Sequence, residues 1–225
     1  MWKGAAASAP LFSTLDMGDA VLVLSAIGLN CSLSRAETPS STRKLLEEVG
    51  TALEAHRVSF DIVHVRDVAI LPGVTSDEGP GDQWPSLRAR ILAADMLVLG
   101  TPIWLGQPSS LAKRVVERMD AFLTEIDERK RMPSYGKVAG VAVVGNEDGA
   151  HHVGAEMYQA LNDVGFTLAA NATTYWVGEA MGKKNYVDLD STPKSTNDAT
   201  SMMVRNMVHL SRLLKRESYP GEQQG

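Results

Sequence analysis

One stretch, residues 96–120, restricts the fold more than any other: MLVLGTPIWLGQPSSLAKRVVERMD. Met96-Leu97-Val98-Leu99 is an apolar run long enough for a buried strand and too short for a helix. Gly100-Thr101-Pro102 reads as a turn, because the residue before a proline is pushed out of helical geometry. Ile103-Trp104-Leu105-Gly106 then sets bulky apolar side chains on an expected loop. Pro108-Ser109-Ser110 opens a helix with a serine placed to cap it. Leu111, Val115, Met119 and Phe122 recur at helical spacing, and Lys113, Arg114, Glu117 and Arg118 are expected on the solvent face. Strand, apolar loop and capped helix together form one unit of an open α/β sheet. The loop lies at the carboxyl end of its strand, the edge where such sheets bind ligands.

The same alternation runs along the chain. A first strand is expected at 26–31, with 21–25 as the alternative, and a polar loop follows at 32–42. Ser41 or Thr42 caps the next helix, which turns Leu45, Leu46, Val49, Ala52 and Leu53 to one side. Residues 58–65 alternate and are β-rich, so they form a second strand. Residues 67–85 make a long, acidic, turn-rich loop of the kind that is usually functional or mobile, and a short helix with Leu87, Ile91 and Ala94 inward follows it. The fourth strand, 137–144, is apolar throughout and is expected to be buried on both faces. A helix over 152–164 follows. The fifth strand covers 166–170 and 173–177, with a break at Asn171. A last helix spans 197–215. Strands alternating with helices imply an α/β fold with a parallel sheet between two helical layers. Five strands fit a doubly wound, flavodoxin-like order, 2-1-3-4-5. Residues 20–216 form the expected domain, with a flexible extension over 1–19 and a loose tail over 217–225.

Composition removes several classes of function. With 44% hydrophobic residues the chain has material for a sizeable core. A formal net charge of −5 gives no basic footprint for nucleic acid. The one cysteine, Cys31, excludes an internal disulfide framework and a thiolate-rich metal site, and it fits a reducing, cytoplasmic setting. No run approaches the length of a membrane span. No G-x-x-x-x-G-K-[ST] or G-x-G-x-x-G motif occurs, so neither a P-loop nor a dinucleotide fingerprint is expected. G-x-S-x-G is missing too.

Three loops meet at the carboxyl edge of such a sheet. The first carries Ser32, Ser34, Ser40, Ser41 and Thr42 and runs into a helix. Hydroxyls, backbone N–H groups and a helix N-terminus suit a phosphate, and Arg35 adds charge. The second, Thr101, Pro102, Ile103, Trp104, Leu105 and Gly106, offers the wall that a flat apolar ring needs. The bland reading of Trp104 is plain core or an interface residue. The third is Gly145-Asn146-Glu147-Asp148-Gly149. Its glycines let backbone approach a ligand. Its two acids would repel a phosphate, which places it at the ring end. His151 and His152 are adjacent, diverge on a helix and make a poor metal pair. Cys31 is expected to be a buried, inert thiol.

These motifs resemble those of a known family. Asn30-Cys31-Ser32-Leu33 with Pro39-Ser40-Ser41-Thr42, then Thr101-Pro102-Ile103-Trp104-x-Gly106-Gln107-Pro108-Ser109-Ser110, then Gly145-Asn146-Glu147-Asp148-Gly149-Ala150-His151-His152, are similar to the NAD(P)H-dependent FMN reductases of the flavodoxin-like superfamily. The resemblance spans residues 26–180. It implies noncovalent FMN, NADPH or NADH as electron donor, a small-molecule electron acceptor, and homodimers or homotetramers. Ser32, Ser40, Ser41 and Thr42 would hold the phosphate. Pro102 to Gly106 and Asn146 to Gly149 would frame the isoalloxazine, and Ser34, Thr101 and Gly145 complete the cofactor-binding set. No catalytic side chain, metal ligand, nucleic acid or membrane is expected. The chain departs from the family in one respect: where many members carry Gly-Ser-x-Arg, it has Cys31-Ser32-Leu33-Ser34-Arg35 in a longer loop. Two rival readings use the same fold, a flavodoxin-type carrier without NAD(P)H turnover and a flavin-free scaffold.

Overall fold

The structure, a computed structural model, describes residues 22–35, 37–180 and 182–222. The expected extension over 1–19 lies outside them. Five parallel strands form the sheet: β1 (Leu24–Asn30), β2 (Val58–His64), β3 (Met96–Trp104), β5 (Val138–Gly145) and β6 (Thr167–Val177). Their order is β2-β1-β3-β5-β6, and the pairings along it are parallel. This is the doubly wound order expected. A sixth strand, β4 (Gln107–Pro108), was not expected; it pairs antiparallel with β3 and lies off the main path.

Alternation along the strands builds two cores. Leu97, Leu99, Val141 and Val143 turn to one face, against α2 (Trp84–Ala93), α3 (Ser110–Arg118) and α4 (Ala150–Asp163). Met96, Val98, Ala142 and Val144 turn to the other, against α1 (Ser41–Glu54) and α5 (Lys194–Arg216). Central strands covered on both sides have no need of polar residues, which is why β3 and β5 read as unbroken apolar runs.

Four expectations need correction. β3 does not stop at Leu99: Thr101 and Pro102 pair with Val143 and Val144 of β5. Proline is tolerated there because β1 has already ended, Gly100 being its last partner on β3. The apolar loop is therefore a strand end and a tight hairpin. Arg118 is not on a solvated face; its side chain is fully buried against Asp82, 2.7 Å away. Trp84 is fully buried as well. The described part of the tail is docked rather than loose: Tyr219 packs edge-on against Tyr135, its hydroxyl lies 2.9 Å from that of Thr167, and the Glu222 N–H donates to the Arg129 carbonyl. At Asn171 the expected break is a bulge, where the register with β5 slips and Asn171 takes φ +54°.

Candidate functional site

A cleft of about 450 Å³ opens at the carboxyl edge of the sheet, within the range of cofactor pockets. The loops after β1, β3 and β5 converge on it. Of the expected residues, Ser32, Ser34, Ser40, Ser41, Thr42, Pro102, Ile103, Trp104, Gly145, Asn146 and Glu147 line it. Thr101, Leu105, Gly106, Asp148 and Gly149 do not. Thr101 is fully buried, and its hydroxyl accepts from the Ser109 N–H (3.0 Å) and donates to the Pro102 carbonyl (3.0 Å). It ties the strand end to α3.

One end of the cleft is built to donate hydrogen bonds. Ser40, rather than the expected Ser41 or Thr42, caps α1, and its Oγ accepts from the Arg43 N–H at 3.2 Å. Ser41 Oγ accepts from the Val187 N–H at 3.1 Å. With those lone pairs engaged by the protein, the hydroxyl hydrogens are left to point at an acceptor. The first-turn N–H groups of Ser41 and Thr42 have no intrahelical partner, and the helix terminus carries partial positive charge. An anion fits this end.

The other end is apolar and shaped by the hairpin. Leu105 (φ +54°) and Gly106 (φ +73°) form its two-residue turn, both in the left-handed region that matches strand twist. Glu147 Oε1 accepts from the Gly106 N–H at 3.0 Å and pins the turn to the loop after β5. Trp104 is thereby held 54% exposed at the rim, and Leu105 is 92% exposed. The core reading of Trp104 does not hold. Pro102, Ile103 and Val144 complete the apolar wall.

A fourth wall escaped the sequence reading. Ala180, Asn185 and Val187, from the irregular segment after β6, line the cleft. Asn146 Nδ2 donates to Asn185 Oδ1 at 2.8 Å. Lys44 Nζ donates to the Tyr186 and Leu189 carbonyls at 3.2 and 2.8 Å, and the Tyr186 hydroxyl donates to Glu48. One face of α1 thus latches this segment. No periodicity marks it, so only the hydroxyl and lysine spacing on α1 could have hinted at it.

Other chemistry finds no support in the geometry. Cys31 is fully buried, and burial pushes its thiol pKa far up, so it supplies no thiolate. His151 packs on Tyr175, while His152 lies 3.0 Å from Gln107. Among the described residues no cluster of metal-binding side chains occurs, and no helix is long and apolar enough to cross a membrane. Ser109 is the structural hinge of the site: its Oγ accepts from the Ala112 N–H (3.1 Å) and donates to the Cys31 carbonyl (2.7 Å). Ser109→Ala should cost about 2 kcal/mol, by loss of the cap and of a buried bond. Urea denaturation measures it, and a loss below about 0.5 kcal/mol would show that the link is idle.

Known proteins share the sequence and the fold. NADPH-dependent FMN reductase, as a family, matches residues 24–181. The chain is 32% identical over 208 residues to 8-demethyl-8-aminoriboflavin-5'-phosphate synthase of Streptomyces davaonensis, covering 88% of this chain and 81% of that protein. It is 34% identical over 199 residues to the divalent metal cation transporter MntH of Mycobacterium bovis, and spans only 29% of that protein's length. The crystal structure of RosB with bound 8-demethyl-8-formylriboflavin-5'-phosphate superposes with a TM-score of 0.80 at 32% identity, covering 88% of this chain and 82% of that one. An apo NADH:FMN oxidoreductase (TM-score 0.58, 18% identity, 88% and 92% covered) and an archaeal flavodoxin (0.52, 11%, 85% and 99%) share the fold. On the extent of the family match and the identity to its flavin-processing relative, the chain belongs to the NADPH-dependent FMN reductase family.

Proposed function

We propose that this protein is an FMN-dependent oxidoreductase that takes electrons from NADPH or NADH and delivers them to a small acceptor such as a quinone, a free flavin or a nitro compound. The observation that carries the reading is one cleft with hydrogen-bond donors at one end and an apolar wall with a half-exposed tryptophan at the other. That asymmetry matches FMN, a phosphate joined to a flat ring. FMN, when bound, supplies the redox chemistry. Ser40, Ser41 and Thr42 hold the phosphate with the N-terminus of α1. Pro102, Ile103 and Val144 wall one side of the ring, with Asn146 at its polar edge. Trp104 and Leu105 leave apolar surface at the mouth, where a nicotinamide or a planar acceptor arrives. Orientation is the protein's main contribution. Glu147 is the one carboxylate among the described lining residues and is engaged by the Gly106 N–H, so none of these side chains stands ready as an obligatory acid or base.

Freshly purified protein should bind added FMN, and anaerobic NADPH or NADH should bleach the yellow band. A band that stays yellow with both donors would leave the carrier reading; no flavin uptake would leave the scaffold reading. Trp104→Ala should weaken FMN binding about tenfold, the loss of one ring contact, while His151→Ala leaves binding and turnover within about twofold. Fluorescence titration and steady-state kinetics measure both, and an inactive His151→Ala enzyme would refute the assignment of roles.

A second reading has one observation in its favour, the likeness to RosB and to the Streptomyces synthase. In it the flavin is the substrate and leaves altered. Mass spectrometry of flavin extracted after turnover separates the two: an unchanged mass supports the reductase, a changed mass the flavin-modifying enzyme.

A further inference from the structure

Ser32 differs from the other cleft hydroxyls in what stands behind it. Its Oγ lies 3.5 Å from Nε2 of His64, the last residue of β2. Nδ1 of the same ring lies 3.2 Å from a carboxylate oxygen of Asp67, in the 3-10 turn Val65–Asp67. The His64 side chain is 9% exposed and that of Asp67 55%. An ionised aspartate only accepts, so the Asp67 carboxylate beside Nδ1 favours the tautomer with its hydrogen there, in which a neutral ring offers Nε2 as an acceptor. In that state the Ser32 hydroxyl hydrogen points back into the protein. A proton added at Nε2 reverses the bond: His64 donates, Oγ accepts, and the Ser32 hydrogen turns to the cleft like those of Ser40 and Ser41.

The lining of the cleft gives this reversal a use. Among the described residues it contains no lysine or arginine, and its one charged residue is Glu147. Arg35 is exposed and outside the lining. Arg66 places its guanidinium on the Leu33 carbonyl, 2.5 Å away. The polar contacts of the His64 ring are Ser32 Oγ and Asp67, and the register partner of His64 on β1 is Asn30, whose Oδ1 is taken by the Ser32 N–H at 3.1 Å. Asp67 is the one charge among these. A phosphate monoester carries up to two charges near neutrality and binds more strongly to a charged donor than to a neutral one.

We propose that His64, braced by Asp67 and acting through Ser32, makes this cleft select phosphorylated over unphosphorylated flavin, taking up a proton as the phosphate seats. The proposal rests on the flavin-binding reading above. His64 is a positioning residue: it stands behind the hydroxyl that meets the ligand.

The test is titration of the full chain, freed of flavin, with FMN and with riboflavin, at about pH 6 and about pH 8, followed by flavin fluorescence. The phosphate of FMN itself titrates in this range, so the quantity read is the difference between wild type and variant at each pH. His64→Gln should lower the preference for FMN over riboflavin about tenfold at the lower pH, and less at the higher. Riboflavin affinity, the control for an intact cleft, should stay within about twofold. In a Ser32→Ala background, His64→Gln should add less than about twofold. An unchanged preference in His64→Gln, an equal fall for both flavins, full additivity with Ser32→Ala, or transfer of the effect to Arg35→Ala would each overturn the proposal. A wild type that binds neither flavin would instead overturn the reading of the cleft itself.

Discussion

Asp82→Ala should cost about 3–5 kcal/mol of folding stability, the penalty for leaving a buried charge without its partner. The charge left behind is Arg118. Its guanidinium meets Asp82 at 2.7 Å, with both side chains fully out of solvent. It also donates to the Leu71 carbonyl at 2.9 Å and to the Thr75 carbonyl at 3.0 and 2.9 Å, and it lies over the Trp84 ring. Asp82 in turn accepts from the N–H groups of Leu71, Glu78 and Trp84 at 3.2, 3.0 and 3.1 Å. Much of the long loop over residues 68–83 is therefore folded around one ion pair. Burial alone would raise the Asp82 pKa; the hydrogen bonds from Arg118 and from the three N–H groups outweigh it and hold the carboxyl well below its ordinary 3.8. A depressed folded-state value stabilises fully above the unfolded value and is lost as pH falls through the folded one. The wild type should therefore lose this contribution only in acid, below about pH 4, and Asp82→Ala should show a shallower acid slope. Urea melts across that range measure both effects. A variant within about 1 kcal/mol of wild type at neutral pH would show the pair to be replaceable.

Gly149→Val should damage both the fold and the cleft. Gly149 sits at φ +125°, and a Cβ there would lie 3.1 Å from the Cα and from the carbonyl oxygen of Gly106. Both obstacles are backbone, so neither swings aside. Strain at such a φ costs about 1–3 kcal/mol. The bulk in addition pushes the Leu105–Gly106 turn off the loop after β5, stretching the Gly106–Glu147 bond and moving Trp104. FMN affinity should fall about tenfold. Gly79→Val is the control: φ is +95°, and nothing lies within 4 Å of the added Cβ. It should share the strain and leave FMN affinity alone. Thermal melts with flavin titration test the pair, and equal affinity losses in both variants would remove the close approach as the cause.

The sheet was legible because its signals are local. Apolar runs, serine caps and glycine-rich ends mark β1, β3, β5 and the helices after them within windows of about ten residues. The convergence of three loops then follows from topology. What was missed depends on contacts distant in sequence. Arg118 keeps helical spacing with exposed residues, and only the loop that folds over it, some 36 or more positions earlier, makes it core. Residues 100–102 looked like a turn because glycine and proline usually break strands, yet β5 continues beside them after β1 has ended. Asn185 and Val187 belong to a segment without period, placed by Ser41 and Asn146. His64 reads as an ordinary strand residue until β1 is laid next to it.

The bulge at Asn171 has a consequence for how the protein survives at high concentration. β6 is an eleven-residue strand at the rim of the sheet, with no neighbouring strand on its outer side among the described residues. A straight rim of that length is a template on which other chains can stack into fibrils. The kink divides it into two short, misaligned pieces, neither long enough to seed such stacking. The irregularity thus guards the molecule against self-polymerisation, at the small cost of one asparagine held in a left-handed turn.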